Sequence, residues 1–242
     1  MVLRTCSFIT ALCLIACTAY AGGFGWWAAV QGGGDYWPTE GLEAAWTFDD
    51  GSVDDVSGNG NDGTNVNAVA TDNYMVFNGS NARIDFGAST SFDRNTVGSL
   101  SMWIYADDTS LGGFLSKGGI SSTSLLSFRK LTTPHKTQLL DTVNRASTAD
   151  DTTFSTETWY HIVYTSDGID YKIYVDKNDE TLAQVGVNTG NWFGDFNTLY
   201  EVYMGVQRRG SSFEIYFDGR LDDTFIYDDV LTTGEIEQLY ER

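Results

Sequence analysis

Trp159-Tyr160-His161-Ile162-Val163-Tyr164-Thr165, Ser166-Asp167-Gly168, and Tyr171-Lys172-Ile173-Tyr174-Val175 form the stretch that decides the fold. Two runs of β-branched and aromatic residues flank a turn whose Asp and Gly suit a chain reversal, so the segment reads as an antiparallel hairpin. The same grammar repeats outward along the chain. Residues 42–48, 74–77, 83–86, 100–105, 125–129, 137–140, 199–206, 213–217 and 221–227 are short strand-like runs separated by Gly, Asn, Asp and Ser. Asn78-Gly79 predicts a second hairpin. Residues 100–105 carry apolar side chains on both parities, which predicts a strand buried between two layers. Trp46, Trp103 and Trp159 lie in strands and read as core. Many short strands at this spacing predict an all-β fold, a two-sheet antiparallel sandwich. Thr232 followed by Glu235 is a capping box and predicts a short helix ending near Tyr240.

Composition agrees with one large domain. The chain has 242 residues, 42% hydrophobic and 14% aromatic, enough for a real core. Its 26 glycines and 2 prolines suit tight turns. A net charge of −19 repels nucleic acid and anionic lipid, so neither is an expected partner. Asp outnumbers Glu more than two to one. Asp suits turns and is also a hard-oxygen ligand for calcium, while acidity in general keeps a surface soluble. Cys6, Cys13 and Cys17 are the only cysteines, so the body has no disulfide framework, zinc site or thiol nucleophile.

The first 21 residues read as a signal for export. Arg4 precedes an apolar run, and Ala19-Tyr20-Ala21 is a small-x-small cleavage site. Leu14-Ile15-Ala16-Cys17 also resembles a lipobox, which would leave a lipid-anchored chain at the cell surface instead of a free one. An uncleaved anchor is a third reading, weakened by the following glycines. Residues 22–40 are rich in Gly and Trp. They read as a linker, or as an arm whose tryptophans dock on the domain, on a partner or at a membrane surface, and through which the chain could form a homo-oligomer. The domain proper is expected over 41–242.

Several segments resemble bacterial laminin-G-like domains of the concanavalin-A-like superfamily. Gly41 to Asp49 resembles their opening strand, and Ser57-Gly58-Asn59-Gly60-Asn61-Asp62-Gly63 their Ser-Gly-Asn loop. Phe77-Asn78-Gly79-Ser80-Asn81 resembles their Phe-Asp-Gly-Ser turn, and Leu100-Ser101-Met102-Trp103-Ile104 a strand with a buried Trp. The hairpin around Trp159 and Tyr174, and Asp218-Gly219-Arg220-Leu221-Asp222-Asp223 with Leu231 and Glu235, complete the series. Asp176-Lys177-Asn178 departs from the family's Asp-Gly and predicts a longer turn. The resemblance implies a sandwich whose chain ends meet, and sugar binding, protein adhesion or an accessory role.

Candidate sites follow. Asp55-x-Ser57-x-Asn59-Gly60 places oxygen side chains at alternate positions, but Val66 stands where an EF-hand needs Glu. Paired chain ends would bring Asp49 and Asp50 near Asp222 and Asp223, where two acidic pairs repel without a cation. The family often binds structural calcium in this region, so Asp49, Asp55, Asn59, Asp222 and Asp223 are the candidate calcium ligands, against an ordinary Asx-turn loop. Trp192, Phe193 and Tyr200, with Phe196, sit in a Gly/Asn-rich stretch and are the candidate sugar-stacking residues, against a packing role. Laminarinase-type glucanases of this fold carry Glu-x-Asp-x-x-Glu on one strand to supply two catalytic carboxylates. That pattern is absent here. His161 reads as structural and His135, beside Pro134, as a turn residue. The expectation is a non-enzymatic module binding glycan or a cell-surface protein, with a surface or filament assembly protein second and a glycoside hydrolase third.

Overall fold

The computed structural model describes residues 37–71, 73–88, 90–119, 125–132, 136–141, 145–147, 154–176, 178–180 and 190–242. Residues 1–36, which hold the expected export signal and most of the Gly/Trp-rich arm, and His135 lie outside these residues. The first strands are β1 (Leu42–Trp46), β2 (Thr64–Val66), β3 (Val69–Ala70), β4 (Met75–Asn78), β5 (Arg83–Gly87) and β6 (Gly98–Ala106). There follow β7 (Gly112–Gly118), β8 (Leu125–Lys130), β9 (Thr137–Leu140), β10 (Arg145–Ser147), β11 (Trp159–Ser166), β12 (Tyr171–Val175) and β13 (Asn178–Glu180). The last are β14 (Glu201–Met204), β15 (Val206–Arg209), β16 (Ser212–Tyr216) and β17 (Asp218–Tyr227), before the helix α1 (Thr233–Tyr240).

The strands form two sheets and a small ribbon. The larger sheet runs β13-β12-β11-β6-β17-β4-β3, with β1 also paired to β17. The smaller runs β10-β9-β8-β7-β14-β5-β2. Alternate residues of each sheet face inward, as the two-residue period of a strand requires. Met102, Ile104, Ile162, Tyr164, Leu221 and Phe77 of the larger sheet meet Phe114, Phe128, Leu139, Val202 and Ile84 of the smaller in one core. The ribbon β15-β16 lies over β7, where Ser116 Oγ donates to the Val206 carbonyl at 2.8 Å. A Cβ on Gly113 would stand 2.8 Å from the Gln207 amide nitrogen, so glycine is what lets the ribbon approach.

The chain ends meet as expected, with Ala45 opposite Phe225 and Trp46 opposite Thr224. The β11-β12 hairpin forms around Ser166↔Tyr171. Thr232 caps α1: its Oγ1 accepts from the Glu235 amide and its own amide donates to Glu235 Oε2. Three expectations are corrected. Asn78-Gly79 does not close a hairpin, because β4 joins the larger sheet and β5 the smaller. Asn78 Oδ1 instead accepts from the amides of Ser80, Asn81 and Ala82 and holds a corner between layers. The turn after β12 is tight, since Val175 pairs with Asn178. The folded body also begins before Gly41: Trp37 packs on Phe225 at 5.5 Å, and Tyr227 Oη donates to the Pro38 carbonyl.

Candidate functional site

The loop aromatics are inside. Trp192 and Phe193 are fully buried. Phe193 packs against Phe92 at 5.0 Å and Trp192 against Phe128 at 5.4 Å. Two polar contacts tie the stretch down. Trp192 donates its amide to Asp195, and Lys117 Nζ, itself fully buried, donates to the Phe193 carbonyl and to Asp93 Oδ1, both at 2.9 Å. Trp192 also needs Gly98, since a Cβ there would lie 2.5 Å from the indole nitrogen. The expectation that Trp192 and Phe193 stack on sugar is therefore corrected: their ring faces are spent on packing. Tyr200 is half-buried and also packs against the core.

The strand aromatics show the reverse. Trp46 is core, fully buried against Phe86 and Phe92. Trp103 and Trp159 are not. They keep part of their surface in solvent, on the outer face of the larger sheet. Pairing sets Trp159, Tyr105 and Arg220 side by side on β11, β6 and β17, with Val76 next on β4 and Val69 beyond it on β3. Tyr74 leans over the same row. Its ring lies 5.8 Å from Trp159, and Tyr105 lies 5.4 Å from Trp159. The Arg220 guanidinium sits 4.1 Å from the Tyr105 ring centre and 5.6 Å from that of Tyr74.

Helix length explains why this face stays open. Eight residues of helix span about 12 Å, whereas nine residues of strand span about 30 Å. Ile236 and Leu239 of α1 cover Val163, Phe225 and Tyr227 at one end of the sheet. The helix then stops where Tyr240 stacks on Trp103 at 5.5 Å. His161 is sealed beneath that stop, its Nε2 2.8 Å from Ser101 Oγ and its ring beside Trp103 and Tyr240. Burial holds its pKa down to about 3, so the ring is neutral and structural, as read from sequence.

The five candidate calcium ligands fall into two groups. Asp55 and Asn59 bolt the first loop to β1. Asp55 Oδ1 accepts from the Ala45 and Ser57 amides, Oδ2 accepts from the amide and side chain of Asn61, and Asn59 Nδ2 donates to the Leu42 and Glu43 carbonyls. These contacts make the Asx-type loop. Asp49, Asp222 and Asp223 do come together, but around a guanidinium. Arg242 donates to Asp49 Oδ2 at 2.9 Å and pairs with Asp223, while its plane lies over the Trp37 ring at 5.1 Å. Burial pushes the Asp222 carboxyl up to about 7; Arg242 opposes the rise and Asp49 adds to it. Among the described residues no three His, Cys, Asp or Glu side chains are grouped to hold a metal.

Two packed antiparallel sheets with meeting ends define a two-layer β-sandwich. Residues 78–237, well over half of the chain, match the family model of the concanavalin A-like lectin/glucanases superfamily, and the chain belongs to that superfamily. No curated protein matches the sequence. Among solved structures, domain 4 of the GH43 extracellular arabinanase of Geobacillus stearothermophilus, in complex with arabinotriose, is similar. It has 18% identity and a TM-score of 0.62, over 82% of this chain and 98% of that one. Trypanosoma rangeli sialidase matches at 20% identity and TM-score 0.62 over 83% of this chain, which spans only 32% of the sialidase. The CBM40 domain of Ruminococcus gnavus IT-sialidase, bound to α2,3-sialyllactose, matches at 11% identity and TM-score 0.54, over 74% of this chain and 96% of that one. At these identities the likeness is one of fold.

Proposed function

We propose that this chain is an exported, non-enzymatic module that binds glycan on the outer face of its larger sheet. The observation that carries the reading is the half-open ring cluster of Trp159, Tyr105 and Tyr74 around Arg220. Aromatic rings buried on one face and wet on the other offer apolar area to the C–H face of a sugar, with polar groups at their edge for its hydroxyls. Structures of similar fold that hold arabinotriose and sialyllactose support the glycan class. A glycan array with the wild-type chain and with Trp159→Ala tests it. Binding to at least one sugar class should appear and should weaken about tenfold or more in the variant, as loss of an anchoring aromatic does. An array with no Trp159-dependent signal would remove the reading. The missing glucanase carboxylate motif supports a binding role, so no reducing sugar should be released from arabinan or laminarin above a heat-killed control.

Export rests on residues 1–21, with cleavage after Ala21 or lipidation at Cys17 distinguished by palmitate-analogue labelling of Cys17→Ser. A second reading, a surface or filament assembly protein, draws on Trp37, which anchors the end of the arm to the domain. Stable oligomers that dissolve when residues 22–36 are deleted would favour it.

A further inference from the structure

We infer that the saccharide held on this face is a neutral one, and that Arg220 and Asp107 are the pair that reads its hydroxyls. The inference rests on the glycan-binding reading of the same face. Arg220 stands among the rings with its donors to spare. Its guanidinium is fixed by the Tyr105 and Tyr74 rings, and among the described residues it donates no hydrogen bond. The ion pair to Asp107 Oδ1 is long, at 3.5 Å, and the two side chains are 31% and 34% exposed. Ring contact fixes the plane of a guanidinium without using its five N–H groups. Asp107 beside it only accepts. A sugar hydroxyl does both, so a donor fork next to a carboxylate meets adjacent hydroxyls with matched partners.

Local charge decides between neutral and acidic sugars. Asp218, Arg220 and Asp222 alternate on β17 and share its outer side, so the arginine has an aspartate two residues away on either hand, Asp222 being only partly ionised near neutral pH. Asp108 follows Asp107, and Lys130 offsets it at 3.4 Å. The like charges are close enough to act on one another: after burial, repulsion from Asp108 and Asp107 raises the Asp218 carboxyl above its ordinary value. Beyond Asp222, Asp49 and Asp223 share the single Arg242. A uronate or sulfate held at Arg220 would set its charge beside this surplus, within about one Debye length (about 8 Å) in physiological salt, where screening is incomplete. The net charge of −19 adds long-range repulsion. A neutral ring meets neither cost.

Affinity electrophoresis of the full chain tests this with two panels. One holds arabinan, xylan, β-glucan and galactan; the other holds polygalacturonate, alginate and chondroitin sulfate, each at low and high salt. At least one neutral polymer should retard the chain equally at both salt levels, and no acidic polymer should retard it as strongly. Arg220→Ala and Asp107→Asn should each weaken the retardation about tenfold or more, as loss of a charge-assisted hydrogen bond does. Their melting curves are measured alongside, and Asp107→Asn, which is isosteric, carries the test if Arg220→Ala fails to fold. Trp159-dependent retardation by an acidic polymer, as strong as by any neutral one, would overturn the inference and leave the glycan face standing. Retardation that neither Arg220→Ala nor Asp107→Asn weakens would overturn the assignment of the pair. Silence in both panels would overturn the glycan reading and this inference together.

Discussion

Two aromatic regions of this protein have exchanged the places their local sequence suggests. Trp192 and Phe193 sit in a Gly/Asn-rich loop and end up fully buried. Trp103 and Trp159 sit in strands of the larger sheet and keep part of their surface in solvent. The loop folds inward because a buried cation waits for it. Lys117 needs acceptors in the core, and Asp93 and the Phe193 carbonyl supply them. Trp159 stays out because the helix ends over Trp103, where Tyr240 stacks, and reaches no farther along the sheet. Whether an aromatic ring is core or surface is thus set by what lies opposite it, not by the element that carries it.

The comparison can be broken most forcefully at Lys117. Replacing it with Met leaves Asp93 buried without its cation, and the fold should lose about 3–5 kcal/mol by urea denaturation. Phe193→Ala should cost a similar amount, about 3–5 kcal/mol, through the cavity left against Phe92 and Phe128. A loss under about 1 kcal/mol in Phe193→Ala would mean that the ring is not core after all. Trp159→Ala is the counterpart. Its melting temperature should shift by only a few degrees, at most about 1–2 kcal/mol, while glycan affinity falls about tenfold. A variant that unfolds while a stabler double variant still binds would place Trp159 in the core.

A smaller effect is expected at Asp222, where the open face meets the chain ends. The unfolded carboxyl titrates near its ordinary 3.8 and the folded one near 7. Between those values the folded chain holds the extra proton, so stability falls as pH rises across the window and is level above it. Thermal melts from about pH 4 to 8 should show this decline in the wild type and a flatter course in Asp222→Asn. Parallel curves would place Asp222 in water. The smallest effect concerns calcium. With Asp55 saturated by four N–H donors and Arg242 between Asp49 and Asp223, melts in calcium and in chelator should coincide. A rise of several degrees in calcium, lost in Asp223→Ala, would show that the cluster opens to the metal.

The sequence by itself determined the strands, their antiparallel sandwich, the pairing of the chain ends and the capped helix. The strands, the sandwich and the helix rest on local or periodic rules: alternation in residues 100–105 and 159–165, a turn at Asp167-Gly168, the Thr232–Glu235 box; the pairing of the ends was what the family resemblance implied. It also located Asp49 near Asp223, because a sandwich that pairs β1 with β17 must bring them together. Parity even held the clue to the open face, since Trp103 and Tyr105 alternate with Met102 and Ile104. Tertiary structure alone decided the rest. That Asn78-Gly79 turns between layers instead of within one depends on β5 finding its partners, β14 and β2, in the smaller sheet. That Arg242 fills the gap among the aspartates depends on where α1 ends. That Arg220 lies between two tyrosine rings depends on register across β4, β17 and β6, strands far apart in the chain. Alternation along a strand says which side chains share a face. It cannot say how much of that face another element covers, because cover is a property of distant residues brought together only by folding.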